Sequence, residues 1–540
     1  MLLFLCLMLV GVLVGCSEAE PIPTLVSAAV VQHLITPPPT PLLATVAATA
    51  VSLPTPTATS LPIIRVGAST AVPSELITAA KQISEQQPQL EWSDEGAVDL
   101  LLTVAKGTHL ATWVYAIAAP FATITDNISM LELQSANWFL DENVATVAPF
   151  LLGKTAVSIS SSTTLIDTLW QERTAFTLLP FHQLTPRLKV LHLDGVSPLA
   201  AEMDVANYPL KIEVGLIGSE TAVSTFLAAW EGPTSNRDPA KMTQVAMSGV
   251  TALVRATAHQ MELNGVLYPG TAVAPVLQSA DIAHVSNEVA FAPDCPYPNP
   301  LGGTTFCSRD SYFSLLQELG IDVVELTGNH LNDWGADSLT HTLDLYSEAN
   351  IETFGGGSDL ISALEAAIFN HNGNQIAFVG CNPVGPAYAW ATTDRAGSLP
   401  CGDSFFDQIS ELNEAGYAVI ATQQYHEFYH YAPTSQQQID FKAIAAAGAT
   451  AVSGSQGHHA QGFDFAGETF IHYGLGNLFF DQMNSLGTRR TFVDLYTFYN
   501  GRLLSVELWT GLIENYARPR EMTAAERAQA LTAVFEGSGW

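Results

Sequence analysis

Four apolar stretches in the second half of the chain end in side chains that bind metals or phosphate-like groups. Residues 280–288 run through Ile282 and Val285 to Asn287 and Glu288, and residues 321–330 end in Gly328, Asn329 and His330. Residues 417–427 pass through Gln423 and Gln424 to His426 and Glu427, and residues 450–459 end in Gln456, Gly457, His458 and His459. Each reads as a buried strand with a polar end. In an α/β sheet that end is where sites form, so the four strands are expected to put these groups on one rim. Imidazole, carboxylate and amide groups together suit a metal or a phosphate-like ligand. His330 is the first candidate, because it follows both an apolar strand and an asparagine. His458 and Glu288 come next. His284, His341 and His472 lie inside apolar or helical patterns and are expected to pack rather than ligate. Trp334, Tyr425 and Phe428 are expected to be core or rim packing, with stacking on sugar rings as the alternative.

The elements around these groups alternate strand and helix, which predicts α/β layers. The domain that holds them is expected to run over 243–515. A C-terminal segment, 516–540, carries a helical pattern that opens with Thr523 and has Glu526 three residues on, a capping box. An earlier region, 63–233, is expected to be a smaller α/β domain, with a strand at 63–67, a helix from Pro73 to Gln86 and a strand at 98–104. That opening, the strand at 115–121, the turn at Asp126 and the later Trp138 resemble an extracellular solute-binding fold of the type that holds oxyanions. Such folds hold anions on amides at helix starts. The Ser/Thr run at 158–164 is either such a start or a helix cap and loop.

At 540 residues the chain exceeds what one core usually serves, which predicts two folded domains. There are 20 Lys and Arg against 52 Asp and Glu, a net charge of −32. Such an acidic surface repels phosphate backbones, so no nucleic acid is expected as a partner.

The apolar run at 2–14 ends in Leu13, Val14, Gly15 and Cys16, which resembles the lipobox of bacterial lipoproteins. It is too short for a comfortable membrane-spanning helix. The resemblance implies a signal peptide over 1–16, a lipid on Cys16 and an extracytoplasmic, membrane-anchored protein. Residues 17–62 are rich in Pro and Thr and read as an extended tether. Four cysteines remain, Cys295, Cys307, Cys381 and Cys401. In an exported protein an even number suggests disulfides, and four allow three pairings. Pairing sequence neighbours, Cys295 with Cys307 and Cys381 with Cys401, is preferred. Zinc ligation is the alternative, although no CxxC spacing appears.

The second domain resembles the CapA family, proteins of poly-γ-glutamate capsule biosynthesis with a calcineurin-like metallophosphatase fold. The family carries Asn-Asn-His and then Ala-Leu-Asp-Tyr-Gly; here the chain reads Gly328-Asn329-His330-Leu331-Asn332-Asp333-Trp334-Gly335. The Gly-rich turn Gly355-Gly356-Gly357 and the segment from Ile471 to Asp481 follow in the family's order. The resemblance implies a two-layer α/β sandwich in which Asp, His and Asn ligands hold two metals. It assigns Glu288, Asn329, His330 and His458 to a divalent metal (Mn, Fe or Zn), Asp333 to orienting His330, and Arg255 to binding an anion. The departures are specific. Val250 stands where the family has its first Asp ligand, and Gln423 and Gln456 stand where it has His. His426, Glu427 and His459 are the available substitutes.

Two functions remain open on this basis. One is a metal-assisted hydrolase or transferase acting on a surface polymer or phosphoester, with Glu288 as ligand or base. The other is a tethered, non-catalytic factor that binds an anionic surface polymer or a phosphoester-like ligand. A third reading, a solute receptor, rests on the earlier domain alone.

Overall fold

The structure is a computed structural model that describes residues 62–153 and 157–540. Cys16, the lipobox and nearly all of the tether lie outside the described residues.

The earlier region is built on a ten-stranded sheet. The strand Ile64–Ala68 pairs in parallel with Leu90–Trp92 and Leu100–Val104. The helix Ser74–Gln86 packs beside them because Leu76, Ala80 and Ile83 recur on one face. The long strand Thr108–Pro120 runs antiparallel to Lys211–Gly218 and Ala175–Pro180. The Ser/Thr run at 158–164 is the short strand Ser158–Ser160 and a turn. The hydroxyls of Ser161, Thr163 and Thr164 bond one another, and the next helix, Leu165–Gln171, is only 7 residues long. With its hydroxyls used locally, this run is no anion cradle.

In the later region two sheets face each other. The first has eight strands, with the central order Glu352–Phe354, Val323–Glu325, Ile282–Asn287, Met242–Thr251, Arg490–Tyr499 and Arg502–Glu514. The second has six, in the order Ala367–His371, Asn374–Cys381, Ala418–Gln424, Ala451–Ser455, Thr469–His472 and Phe463–Ala466. Between them lies a core of Val245, Met247, Val323, Phe354, Phe378, Ile420 and Phe470. Helices cover the outer faces, through Met261, Leu316 and Leu339 on the first sheet and Phe405, Ile409 and Phe441 on the second. Parallel strands buried on both faces read as unbroken apolar runs, which is why the four stretches look alike in sequence.

The expectation of a single rim is corrected here. The strands at 282–287 and 323–325 belong to one sheet, and those at 418–424 and 451–455 to the other. Their polar ends meet because the sheets face each other, not because the strands are neighbours. Apolar periodicity reports burial and says nothing of which sheet a strand joins.

The first sheet continues beyond 515 with the edge strand Arg518–Glu521, and the helix Ala524–Gly537 follows it. Thr523 caps that helix in a full capping box with Glu526. The two regions pack through Phe121, which meets Phe463, Phe470 and Phe535, and through Arg527, which donates to both oxygens of Asp126 at 2.6 and 2.7 Å. Cys295 is bonded to Cys307, and Cys381 to Cys401, so the pairing of sequence neighbours is the one present.

Candidate functional site

Glu288 follows directly on the strand Ile282–Asn287 and is 1% exposed. Its amide donates to the Thr251 carbonyl at 3.0 Å, which pins the turn to the neighbouring strand. Burial, and then the carboxylates of Glu325 and Glu427, push its carboxyl well above the usual range. Among the described residues its Oε1 has no hydrogen-bond partner. An unpaired buried acceptor costs about 1–3 kcal/mol, so this oxygen marks a place where something small belongs.

The two imidazoles are each held through Nδ1. His330 Nδ1 lies 2.7 Å from Asp333 Oδ2. Asp333 is itself fixed, accepting from the Phe306 amide at 3.0 Å and the Tyr388 hydroxyl at 3.1 Å. His458 Nδ1 lies 2.8 Å from Asn477 Oδ1, and its Nε2 lies 3.9 Å from Glu288 Oε2. Burial holds the His458 pKa below its ordinary value, so the ring is neutral with its proton on Nδ1. In both rings the remaining nitrogen, Nε2, is left for a ligand. The rings sit against aromatic faces, His330 at 4.5 Å from Phe306 and His458 at 4.9 Å from Phe480.

Amides fill the floor. Gln424 Nε2 donates to Asn329 Oδ1 at 3.1 Å and to Gln456 Oε1 at 2.6 Å. Gln424 Oε1 is buried and, among the described residues, without a partner. Gln456 and His458 both have left-handed backbones, with φ of 63° and 48°. Residues other than glycine rarely adopt this geometry, and here two of them do so within three positions.

Residues 244–482 match the family described as bacterial capsule synthesis protein PGA_cap. In this stretch the later half of the chain is similar to the CapA family. Capsule biosynthesis protein CapA of Bacillus anthracis is 27% identical over 274 residues, 48% of this chain and 66% of that protein. PGA biosynthesis protein CapA of Bacillus subtilis (strain 168) is 27% identical over 170 residues, 31% of this chain and 45% of that protein. The chain therefore spans less than two thirds of either relative. Among solved structures, an ABC-type phosphate transport receptor from Vibrio cholerae is 14% identical and covers 31% of this chain and 93% of its own, at a TM-score of 0.27. That score is too low to bear on function.

The CapA-type domain departs from a two-metal centre in its donors. Val250 is buried and offers no ligand atom. Gln423 Nε2 points to Cys401 Sγ at 3.6 Å, and Gln456 is bonded to Gln424. The substitutes do not fill the gap. His426 and Glu427 are exposed, and His459 bonds its own neighbour's carbonyl at Ala460 and packs on Tyr431. Among the described residues no three His, Cys, Asp or Glu side chains gather as a metal-binding group. A dinuclear centre does not fit this donor set.

Arg255, expected to bind an anion, is paired within the chain. Its guanidinium grips Asp481, with Nε at 3.1 Å from Oδ2 and Nη2 on Oδ1, and it lies over the rings of Phe306 and Phe480. The Nε/Nη2 edge of the fork is therefore taken by a carboxylate of the chain itself rather than left for an external anion. Asp481, Asn477, Gln424 and Phe480 are the site members that sequence reasoning left unassigned. Asn477 and Asp481 lie in the CapA-like segment after Ile471, which was the available signal.

Proposed function

We propose that this protein works at the cell surface in making or retaining a capsule polymer of the poly-γ-glutamate type, and that its CapA-type site binds ligand without two-metal chemistry. The observation that carries this is the chain of amides Asn329–Gln424–Gln456 across the site floor, together with Val250 and Gln423 at the other altered ligand positions. Neutral amides replace imidazole poorly as ligands to a transition metal but match the donors and acceptors of a polyamide. The aromatic and polar rim of Trp334, Tyr388 and Tyr429 is exposed and offers contact surface.

Binding of the full-length protein to poly-γ-glutamate, measured by isothermal titration calorimetry, tests the reading. Saturable binding that weakens at least tenfold in Gln456→Ala supports it. Failure of the wild type to bind the polymer removes it.

A second reading rests on the unpartnered Glu288 Oε1 and Gln424 Oε1, and on Glu288 Oε2 lying 3.9 Å from His458 Nε2. Two oxygens and a nitrogen suit one divalent ion such as Mn, Fe or Zn. A single ion there would supply Lewis-acid activation of water, while Asn477 and Asp333 hold the imidazoles in place.

Anchoring through a lipid on Cys16 is part of the proposal. Cys16→Ala is expected to move the protein from the membrane fraction to the medium. Unchanged membrane retention would argue against the lipid.

A further inference from the structure

The seam between the two regions encloses two cavities that the capsule-related reading leaves without a role. One, of about 260 Å³, is lined by Asp126, Lys189, Leu495, Glu521 and Arg527 among others. The other, of about 330 Å³, is lined by Glu202, Gln244, Asp281 and Thr497 among others. His192 and Glu507 line both. His192 lies on the strand Leu188–Leu193 of the earlier region, and Glu507 on Arg502–Glu514 of the first sheet. His192 Nε2 stands 3.1 Å from Glu507 Oε1, so this bridge spans the seam where the two cavities meet.

The charges around the bridge make it depend on one proton. Among the described residues that line the larger cavity, Glu202, Asp281 and Glu507 are acidic and no Lys or Arg is present. His192 is the one lining side chain there that can become a cation near neutral pH. On the other side of the bridge the charges are largely matched, because Asp126 already takes Arg527 and Lys189, with Glu521 beside them.

The Glu507 hydrogen bond outweighs burial and, with the Glu507 and Asp126 charges against that of Lys189, holds His192 above its ordinary value of about 6.5. The protonated ring donates a charge-assisted bond. A group raised on folding gives its full stabilisation below the unfolded value and loses it as pH rises through the folded one. Once His192 is neutral, Glu202 from one region and Glu507 from the other are like charges in one cavity, with no lining cation between them.

We infer that the His192–Glu507 bridge is a pH-sensitive latch: closed in mild acid it divides the seam into two cavities, and open in mild alkali it lets them join as one cleft between the regions.

The test uses the full-length protein with Leu495→Cys, a position that lines the smaller cavity. Labelling by a maleimide is read at that position by mass spectrometry, at pH 6 and at pH 8.5. The background is compared with the same background carrying His192→Gln or Glu507→Gln. Each comparison is made at one pH, so the thiol's own reactivity and the titration of Lys189, which burial brings down to about 8, are common to both proteins. At pH 6 both variants are expected to label about threefold faster than the background or more, the size set by a partly exposed ion pair. At pH 8.5 the background and His192→Gln are expected to label alike. Circular dichroism confirms that each variant is folded. Equal labelling of the background and either variant at pH 6, or a His192→Gln difference that persists unchanged at pH 8.5, would overturn the inference.

Discussion

His458 and Asn477 are tied twice: Asn477 Oδ1 takes the bond from His458 Nδ1 at 2.8 Å, and Asn477 Nδ2 donates to the His458 carbonyl at 3.2 Å. One side chain thus fixes both the ring and the left-handed backbone that carries it. Asn477→Ala leaves a buried imidazole N–H without its acceptor, which costs about 1–3 kcal/mol. Urea melts should show that loss, and nitrogen NMR should show His458 becoming a mixture of tautomers. An unchanged tautomer would mean that Asn477 does not hold the ring.

Arg255 and Asp481 form a partly buried pair packed between Phe306 and Phe480. Removing the carboxylate in Asp481→Ala strands the guanidinium and is expected to destabilise the fold by about 2–4 kcal/mol. It also frees the fork that now holds Asp481, so the variant should bind sulfate or phosphate better than the wild type. Calorimetry with phosphate checks this. No gain in anion binding would show that Arg255 is closed off by more than its partner.

These pairs mark where sequence reading stops. The strand ends bearing Glu288, His330 and His458 were legible because an apolar run with a polar terminus is a local signal. The capping box at Thr523 and the short-loop disulfides were legible for the same reason. Arg255 and Asp481 are 226 residues apart, and no local pattern says that one will satisfy the other. The altered positions Gln423 and Gln456 were visible as departures, but their new partners, Cys401 and Gln424, depend on how the second sheet and its disulfide are placed.

The Cys295–Cys307 bond closes a loop with a sequence separation of 12, and that loop carries Phe306, which packs on His330. In a chain-entropy account a loop of this size stabilises by about 2–4 kcal/mol. Replacing both cysteines with serine should lower the melting temperature and weaken whatever ligand the His330 side of the site binds. Ligand binding that survives unchanged would separate the loop from the site.

Asp126 joins the two regions by accepting from Arg527 and Lys189. Burial opposes its charge, but the Arg527 hydrogen bonds and the Lys189 charge pull its pKa down to about 2 from 3.8. A depressed carboxyl stabilises the fold above the unfolded value, and that contribution is lost as pH falls from about 4 to 2. The wild type should therefore exceed Asp126→Asn in stability at pH 6, and the two should converge near pH 2. Acid titrations followed by circular dichroism measure the difference. A constant gap across that range would contradict the assignment.

The remodelled CapA-type site is tested most directly by metal stoichiometry. Full-length protein would be saturated in turn with Mn, Fe and Zn, freed of loose ions and measured by elemental mass spectrometry, beside Glu288→Ala and His330→Ala. With Val250, Gln423 and Gln456 at three ligand positions, the account predicts at most one equivalent per chain, and any bound ion should be lost in Glu288→Ala. Two tightly held equivalents in the wild type would contradict it and restore a two-metal centre.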